Sequence, residues 1–232
     1  MKPYQSVRIE DCGEALVAIP LNEFSAVTPH PYVELGAPYG QYSPYYLRQS
    51  VLQRLLDAQA NLQTVRPQWR LQIFDAYRPI PVQQFMVDYT FTQLAEAEDL
   101  DCATMSAEVK LKLQNKVAEF WATPSDNPNT PPPHSTGAAV DLTLIDEEGH
   151  SVDMGSVIDE ISPRSYPNHF AQEKSDEAQR LHHHRQLLAQ AMTQAGFRQH
   201  PNEWWHFSAG DQLWAWQERN GAIAIYGSAQ PD

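Results

Sequence analysis

Two short motifs, far apart in the chain, place the strongest constraint on how this sequence can fold. They are His134-Ser-Thr-Gly-Ala-Ala-Val-Asp141 and Glu203-Trp-Trp-His206, which together supply two imidazoles and two carboxylates. A catalytic zinc ion commonly takes three protein ligands and leaves a fourth position for water, while a carboxylate outside the ligand set handles protons. We therefore expect a fold that brings His134, Asp141 and His206 around one zinc ion, with Glu203 as the general base.

This expectation sets a condition on the backbone around the second motif. Glu203 and His206 are three residues apart, and such residues point to opposite faces of a regular strand. Both can reach one site only if Pro201-Asn202 bends the chain or if Glu203 lies just before the strand. In the first motif, Gly137 lets the backbone turn tightly between the two ligands.

The other histidines are poorer ligand candidates. Three adjacent imidazoles, His182 to His184, fall in a predicted helix, where successive side chains are about 100° apart and cannot chelate one ion in common. The remaining histidines lack companions at ligand spacing, and we expect them to be structural or exposed: His30, His150, His169 and His200.

Apolar periodicity predicts several helices. Ser43-Pro44 has the pattern of an N-cap followed by Pro at the first helical position, which begins a helix that runs to about Gln63. Further helices are predicted over about 82–98, 107–122 and 175–195, the last followed by Gly196. Ser106 is the expected N-cap of the third helix.

Strand patterns lie between these helices. We predict strands over Trp69–Asp75, Ala138–Ile145 and Phe197–Phe207, and a hairpin over Asp211–Tyr226 that turns at Asn220-Gly221. Helices and short strands mix without strict alternation. This order indicates an α+β fold, in which helices cover one side of a mostly antiparallel sheet.

The chain has 232 residues, of which 42% are hydrophobic, and no low-complexity linker divides it. We expect one domain over residues 1–232, with residues 1–42 as an extended segment, rich in Pro, Tyr and Gly, that packs on it.

Charge and hydropathy exclude some partners. The formal net charge of −13 repels phosphate backbones and anionic membrane surfaces, so we expect no nucleic-acid or membrane partner. No apolar run approaches the roughly 20 residues of a membrane-spanning helix. The amino terminus lacks a signal-peptide core, which makes the cytoplasm the expected location. The sequence leaves the oligomeric state open.

Two further motifs complete a family resemblance: Phe74-Asp-Ala-Tyr-Arg78-Pro and Met154-Gly-Ser-Val-Ile-Asp159. With the first two motifs, and in the same order over roughly residues 70 to 207, they resemble the D-alanyl-D-alanine dipeptidases, the VanX-like zinc peptidases. The resemblance implies the fold shared by zinc D,D-carboxypeptidases and the hedgehog signalling domain. It also implies one Zn²⁺ per chain on His134, Asp141 and His206.

The resemblance implies roles for other residues as well. Glu203 corresponds to the catalytic base and Arg78 to the group that stabilises the tetrahedral intermediate. Asp159 corresponds to the residue that holds the ammonium group of the substrate. We place Asp75 on the substrate side as an orienting group. Two alternatives are a purely structural ion pair between Arg78 and Asp75, and a turn role for Asp159.

The expected activity is zinc-dependent hydrolysis of D-alanyl-D-alanine, or a closely similar small cell-wall dipeptide, by metal-activated water. One alternative is a D,D- or L,D-carboxypeptidase on longer peptidoglycan stem peptides, because Pro132 replaces a serine that often contacts substrate in the family. Another is a zinc-stabilised binding module without turnover. The N₂O ligand set does not by itself exclude iron, cobalt or nickel.

Overall fold

The computed structural model of the protein describes residues 2–231, which contain seven strands and six α-helices. The strands are β1 (Leu16–Ala18), β2 (Ser25–Ala26), β3 (Tyr46–Arg48), β4 (Arg70–Asp75), β5 (Ala139–Ile145), β6 (Arg198–Gln199) and β7 (His206–Ser208). The helices are α1 (Pro31–Glu34), α2 (Gln49–Val65), α3 (Ile80–Ala97), α4 (Ala107–Phe120), α5 (Asp176–Gln194) and α6 (Gln212–Glu218). This mixture confirms the α+β class.

The main sheet has five strands in the order β2-β4-β5-β7-β6. The pair β2 and β4 is parallel, whereas the other three pairs are antiparallel. The prediction of a mostly antiparallel sheet is therefore confirmed. Strands β1 and β3 form a separate antiparallel pair.

The largest core lies between this sheet and helices α2 and α5. Because side chains alternate along a strand, Val140, Leu142 and Leu144 of β5 enter this core, while Asp141 faces the other way. A smaller apolar cluster is built on α3 and α4, and Phe74 of β4 packs against it. The polar face of β5 is thus left available for a site.

Most predicted elements lie where the sequence placed them. The strands β4 and β5 and the helices α3, α4 and α5 begin and end within a few residues of the expected positions. The hydroxyls of Ser106 and Ser175 accept from the backbone N–H of Val109 and Ala178, as N-caps do. Gly196 follows α5 with φ +88°.

Two predictions are wrong. Ser43-Pro44 does not begin a helix, because the chain first forms β3, which pairs with β1, and α2 starts at Gln49. The segment Asp211–Tyr226 is not a hairpin, since it begins with helix α6. The Asp211 carboxylate accepts from the backbone N–H of Trp214 at 2.8 Å and caps this helix.

The amino-terminal residues are largely extended, with a 3-10 turn at Pro3–Ser6 and the single turn α1. They are tied to the rest of the molecule by strand pairing, of β1 with β3 and of β2 with β4. Ile9 also forms a bridge with Ala224. Within residues 2–231, no helix is both long and apolar enough to cross a membrane.

Candidate metal centre and active site

The register of two neighbouring strands brings Asp141 and His206 together. Strands β5 and β7 are antiparallel, and Asp141 is paired directly with His206. Paired residues on adjacent strands project from the same face of a sheet. His206 Nδ1 therefore lies 3.0 Å from Asp141 Oδ1.

His134 reaches the same point from outside the sheet. It lies in the 3-10 turn Pro133–Thr136, which follows the proline-rich loop and ends at Gly137 with φ +70°. Its Nε2 is 3.2 Å from Asp141 Oδ2 and 3.1 Å from His206 Nδ1. The other nitrogen, Nδ1, lies 2.7 Å from the carbonyl oxygen of Ala76, so a proton on Nδ1 leaves Nε2 free as a ligand.

The three side chains fit a metal ion. His134 Nε2 and His206 Nδ1 are 3.1 Å apart, and each lies close to one carboxylate oxygen of Asp141, at 3.2 Å from Oδ2 and 3.0 Å from Oδ1 respectively. One ligand atom from each residue lies within 4.8 Å of the others, and all three residues are buried. A tetrahedral zinc ion with bonds of about 2.0 to 2.1 Å needs ligand atoms roughly 3.3 Å apart. Burial opposes ionisation of Asp141, but His134 and His206 hold the pKa of its carboxyl well below the usual value. Among the described residues, this is the one group found that could hold a metal.

Glu203 lies beside this centre and satisfies the backbone condition. It precedes β7, and its Oε2 is 3.7 Å from His206 Nδ1. Its side chain is buried, and Oε1 has no hydrogen-bond partner among the described residues. Burial, with the negative charge of Asp141, raises the pKa of the Glu203 carboxyl well above its usual value, while Lys2 opposes this rise. A carboxyl in this state can both take up and release a proton.

A β-bulge turns Asp75 toward the site. Ile73 pairs with Leu142, but Asp75 pairs with Asp141, so β4 holds one extra residue at this point. Asp75 is fully buried and accepts from the hydroxyl of Tyr39 at 2.9 Å. Burial acts to raise its pKa, but the Arg78 guanidinium and neighbouring histidines hold the pKa of Asp75 below its usual value.

Arg78 joins Asp75 to the metal centre. Its Nη2 lies 2.8 Å from Asp75 Oδ2 and 3.3 Å from Asp141 Oδ2, and its Nη1 donates to Gln83 Oε1 at 2.9 Å. The guanidinium carbon lies 5.0 Å from the ring centroids of Tyr32 and of Trp121. The structure thus contains the ion pair with Asp75 and also places Arg78 in the wall of the cavity.

Asp159 lines the same cavity, whereas Asp75 lies behind Arg78 and does not. Asp159 has φ +66°, and its Oδ2 accepts from the Tyr32 hydroxyl at 2.6 Å. Burial, followed by the negative charge of Asp141, raises the pKa of the Asp159 carboxyl to about 7. Tyr32 also lies 3.4 Å from Arg78 Nη2, so it links the two.

Several residues near the site were not found by sequence reasoning. Tyr32, Gln83 and Trp121 surround Arg78, and no local pattern indicates this because they come from separate segments. His200, which we expected to be structural or exposed, is buried in the cavity wall, with Nδ1 3.4 Å from Glu203 Oε1. Lys2 lies in the wall too. The histidines His182 to His184 do not line this cavity.

Comparison with known proteins agrees with this geometry. The sequence profile described as D-ala-D-ala dipeptidase matches residues 25–222. The chain belongs to the D-ala-D-ala dipeptidase family. Membership makes it a metallopeptidase, in agreement with the resemblance seen in the four motifs.

Two curated relatives carry the same description. A D-alanyl-D-alanine dipeptidase from Synechocystis sp. (strain ATCC 27184 / PCC 6803 / Kazusa) is 47% identical over 241 aligned positions, which cover 99% of this chain and 98% of the relative. A D-alanyl-D-alanine dipeptidase from Escherichia coli (strain K12) is 43% identical over 74 residues, which cover 32% of this chain and 36% of the relative.

Proposed function

We propose that the chain hydrolyses D-alanyl-D-alanine, or a closely similar cell-wall dipeptide, with one zinc ion held by His134, Asp141 and His206. One observation carries the proposal. One ligand atom each from His134, Asp141 and His206 lies within 4.8 Å of the others, and Glu203, which lies beside them, has a buried carboxylate oxygen without a hydrogen-bond partner among the described residues. The names of the two relatives support the choice of substrate.

Glu203 is the general base in this proposal. When bound, the zinc ion polarises the scissile carbonyl and acidifies water. Glu203 takes the proton of the attacking water and then passes it to the departing amine. The raised pKa favours the stage at which Glu203 holds the proton, and the positive charge of a bound zinc ion would favour the ionised form that takes the proton up.

Arg78 stabilises negative charge on the oxygen of the scissile carbonyl. A guanidinium carries five N–H donors, and the contacts to Asp75, Gln83, Tyr32 and Asp141 leave one N–H on Nη1 uncommitted among the described residues. Asp75 orients Arg78 without reaching the cavity. A donor held rigidly in this way contributes several kcal/mol to transition-state stabilisation.

Asp159 holds the ammonium group of the substrate, assisted by the hydroxyl of Tyr32.

We also propose that residues 1–232 form one domain with the fold shared by zinc D,D-carboxypeptidases and the hedgehog signalling domain. The mostly antiparallel sheet, with α2 and α5 on one face and the metal ligands on the other, supports this assignment. The pairing of β2 with β4 supports inclusion of the amino-terminal segment.

The function is tested by D-alanine release from D-alanyl-D-alanine. The parent protein is assayed as chelated and zinc-restored samples, beside Glu203→Gln, with metal content measured for each. Of the two parent samples, we expect only the zinc-restored one to be active. We expect Glu203→Gln to bind zinc but to have a kcat about 10²- to 10⁴-fold lower than that of the zinc-restored parent. A zinc-loaded parent that cleaves only tetra- or pentapeptides would instead assign a carboxypeptidase, and a parent inactive on all peptides would indicate a binding role.

A further inference from the structure

The amino-terminal segment reaches the active-site cavity and contributes Lys2 and Tyr4 to its wall. The segment is held in place by several contacts. The side-chain amide of Gln212, at the start of α6, donates to the carbonyl oxygen of Val7 at 2.6 Å. The backbone N–H of Lys2 donates to Gln5 Oε1 at 2.9 Å. The turn that follows Lys2 is therefore held against α6, and Lys2 lines the cavity beside His134, Asp141 and His206.

Lys2 differs from the other charged residues of the cavity wall in its ion-pair partners. Three acids line it: Asp141, Asp159 and Glu203. The lining cations are Arg78 and Lys2. Arg78 is already paired with Asp75 and Asp141. Within residues 2–231, Lys2 forms no ion pair, and the ion-pair partners of Glu203 are His200 and His206. Among the described lysines and arginines of the wall, Lys2 is the one that no carboxylate pairs with, so its ammonium group is available to an anionic group in the cavity.

Lys2 and Asp159 carry opposite charges in the same cavity wall, and they act in opposite directions on the pKa of Glu203. Burial lowers the pKa of Lys2, and the charge of Glu203 acts against this decrease. The pKa of His200 is lowered, first by burial and also by His206 and Lys2. Asp159 instead contacts Tyr32, and its pKa responds to Asp141 and Arg78. The cavity wall thus carries a cation, Lys2, and an acid, Asp159, which are the two charges that a zwitterionic ligand requires.

A free dipeptide is a zwitterion with an ammonium group at one end and a carboxylate at the other. Complementary charges at the two sides of a site fix the orientation of such a ligand and select against neutral analogues. With the ammonium group on Asp159 and Arg78 paired with Asp75 and Asp141, Lys2 is the cation of the wall left for the carboxylate of the dipeptide.

We propose that Lys2 binds the free carboxylate of the dipeptide and selects substrates that end one residue beyond the scissile bond. This inference rests on the proposed dipeptidase function. A lysine ammonium can pair with a carboxylate in a charge-assisted hydrogen bond. The competing explanation is that Lys2 only adjusts the protonation of Glu203, which would affect all substrates equally.

The test compares D-alanyl-D-alanine with its neutral carboxamide, D-alanyl-D-alaninamide, in zinc-loaded parent, Lys2→Met and Lys2→Arg. We expect Lys2→Met to reduce the ratio of kcat/KM for the acid to kcat/KM for the amide by about 10- to 100-fold, mainly through KM for the acid. Lys2→Arg keeps the positive charge, so we expect it to keep most of the parent's preference for the acid over the amide. Arg8→Gln is the matched control, because Arg8 is an exposed cation of the same segment, paired with Glu10.

The possible outcomes separate the two proposals. If the parent cleaves the dipeptide but Lys2→Met reduces kcat/KM for the acid and the amide equally, the carboxylate role of Lys2 is overturned and the dipeptidase function stands. If Lys2→Met changes neither kcat/KM value, the carboxylate role of Lys2 is overturned as well. A parent that cleaves neither dipeptide nor amide overturns the dipeptidase function and the Lys2 role with it. Equal zinc content and melting temperature exclude misfolding as the cause.

Discussion

Arg78 is a buried charge whose position is fixed by contacts with several neighbouring side chains. Its guanidinium contacts two carboxylates, one amide and two aromatic rings, and only 3% of the residue is exposed. A planar group with several fixed donors suits such an environment better than an ammonium group does. The same contacts form the structural ion pair and orient Arg78 for its proposed catalytic role. The effect of a substitution must therefore be measured on both catalysis and stability.

We expect Arg78→Lys to lower kcat by about 10²- to 10³-fold, because a lysine cannot keep the contacts to Asp75, Gln83 and Asp141 while it faces the carbonyl oxygen. Steady-state kinetics on D-alanyl-D-alanine measures the effect, and thermal unfolding reports on the ion pair. A lower melting temperature with unchanged kcat would show that Arg78 is purely structural.

The protonation state of Asp159 is expected to change with pH near neutrality. Burial and the charge of Asp141 raise its pKa to about 7, so in the metal-free protein the neutral form predominates below that pH and the ionised form above it. Zinc on Asp141 offsets the negative charge, and we expect it to lower the pKa of Asp159 and so favour the form that binds an ammonium group. An NMR titration of the carboxyl carbons measures both values, with Asp159→Asn to assign the signal. A metal-free midpoint near 4 contradicts the prediction.

At the level of elements, the site depends on irregular backbone at the edges of regular structure. The bulge in β4 turns Asp75, and the left-handed Gly137 lies between the turn that carries His134 and the strand that carries Asp141. Gly137 is also enclosed, since a Cβ at this position would collide with the Leu16 side chain. The left-handed φ favours glycine here, and a Cβ would in addition displace the end of the Leu16 side chain.

We expect Gly137→Ala to destabilise the protein more than Gly13→Ala does. Both glycines have positive φ, +70° and +71°, which costs an alanine roughly 1 kcal/mol, but a Cβ at Gly13 would meet open space. The collision with Leu16 is expected to add about 1 to 3 kcal/mol and to weaken zinc binding. Denaturant unfolding and zinc titration of both variants measure the difference. Equal losses in the two would show that the contact with Leu16 has no cost.

The segment that we predicted as a hairpin, Asp211–Tyr226, also has a role near the site. Helix α6 begins at Gln212, whose amide holds the segment that leads to Lys2. The turn-forming pair Asn220-Gly221 favoured a hairpin, yet the chain beyond it pairs with the amino-terminal segment through Ile9 and Ala224. The local pattern was ambiguous, and the segment that pairs with this part of the chain lies near the opposite end of the sequence.

For the whole molecule, metal binding and folding are linked. A ligand that binds the folded state alone stabilises it by about 2.7 kcal/mol at a concentration of 100 times its Kd. For a chain of 232 residues, we expect zinc at this concentration to raise the melting temperature of the chelated protein by roughly 5 to 10 °C. Thermal unfolding with increasing zinc measures the shift.

Two histidine variants control this experiment. His134→Ala removes a proposed ligand and is expected to lose the zinc-dependent shift. His183→Ala removes an exposed imidazole of α5 and is expected to keep it. A shift of the same size in His134→Ala would place the stabilising zinc elsewhere in the molecule.

The sequence by itself determined the chemical groups of the site and most of the elements that carry them. The motifs around His134, Asp141 and His206 predicted one cluster, and apolar periodicity placed α3, α4, α5, β4 and β5, because these patterns depend on neighbours within a few residues. Only the tertiary structure decided the register that pairs Asp141 with His206, the bulge at Asp75, and the approach of Tyr32 and Lys2. These contacts join segments far apart in the chain, and they form because the sheet and its helices bury a shared core, which no short pattern of residues describes.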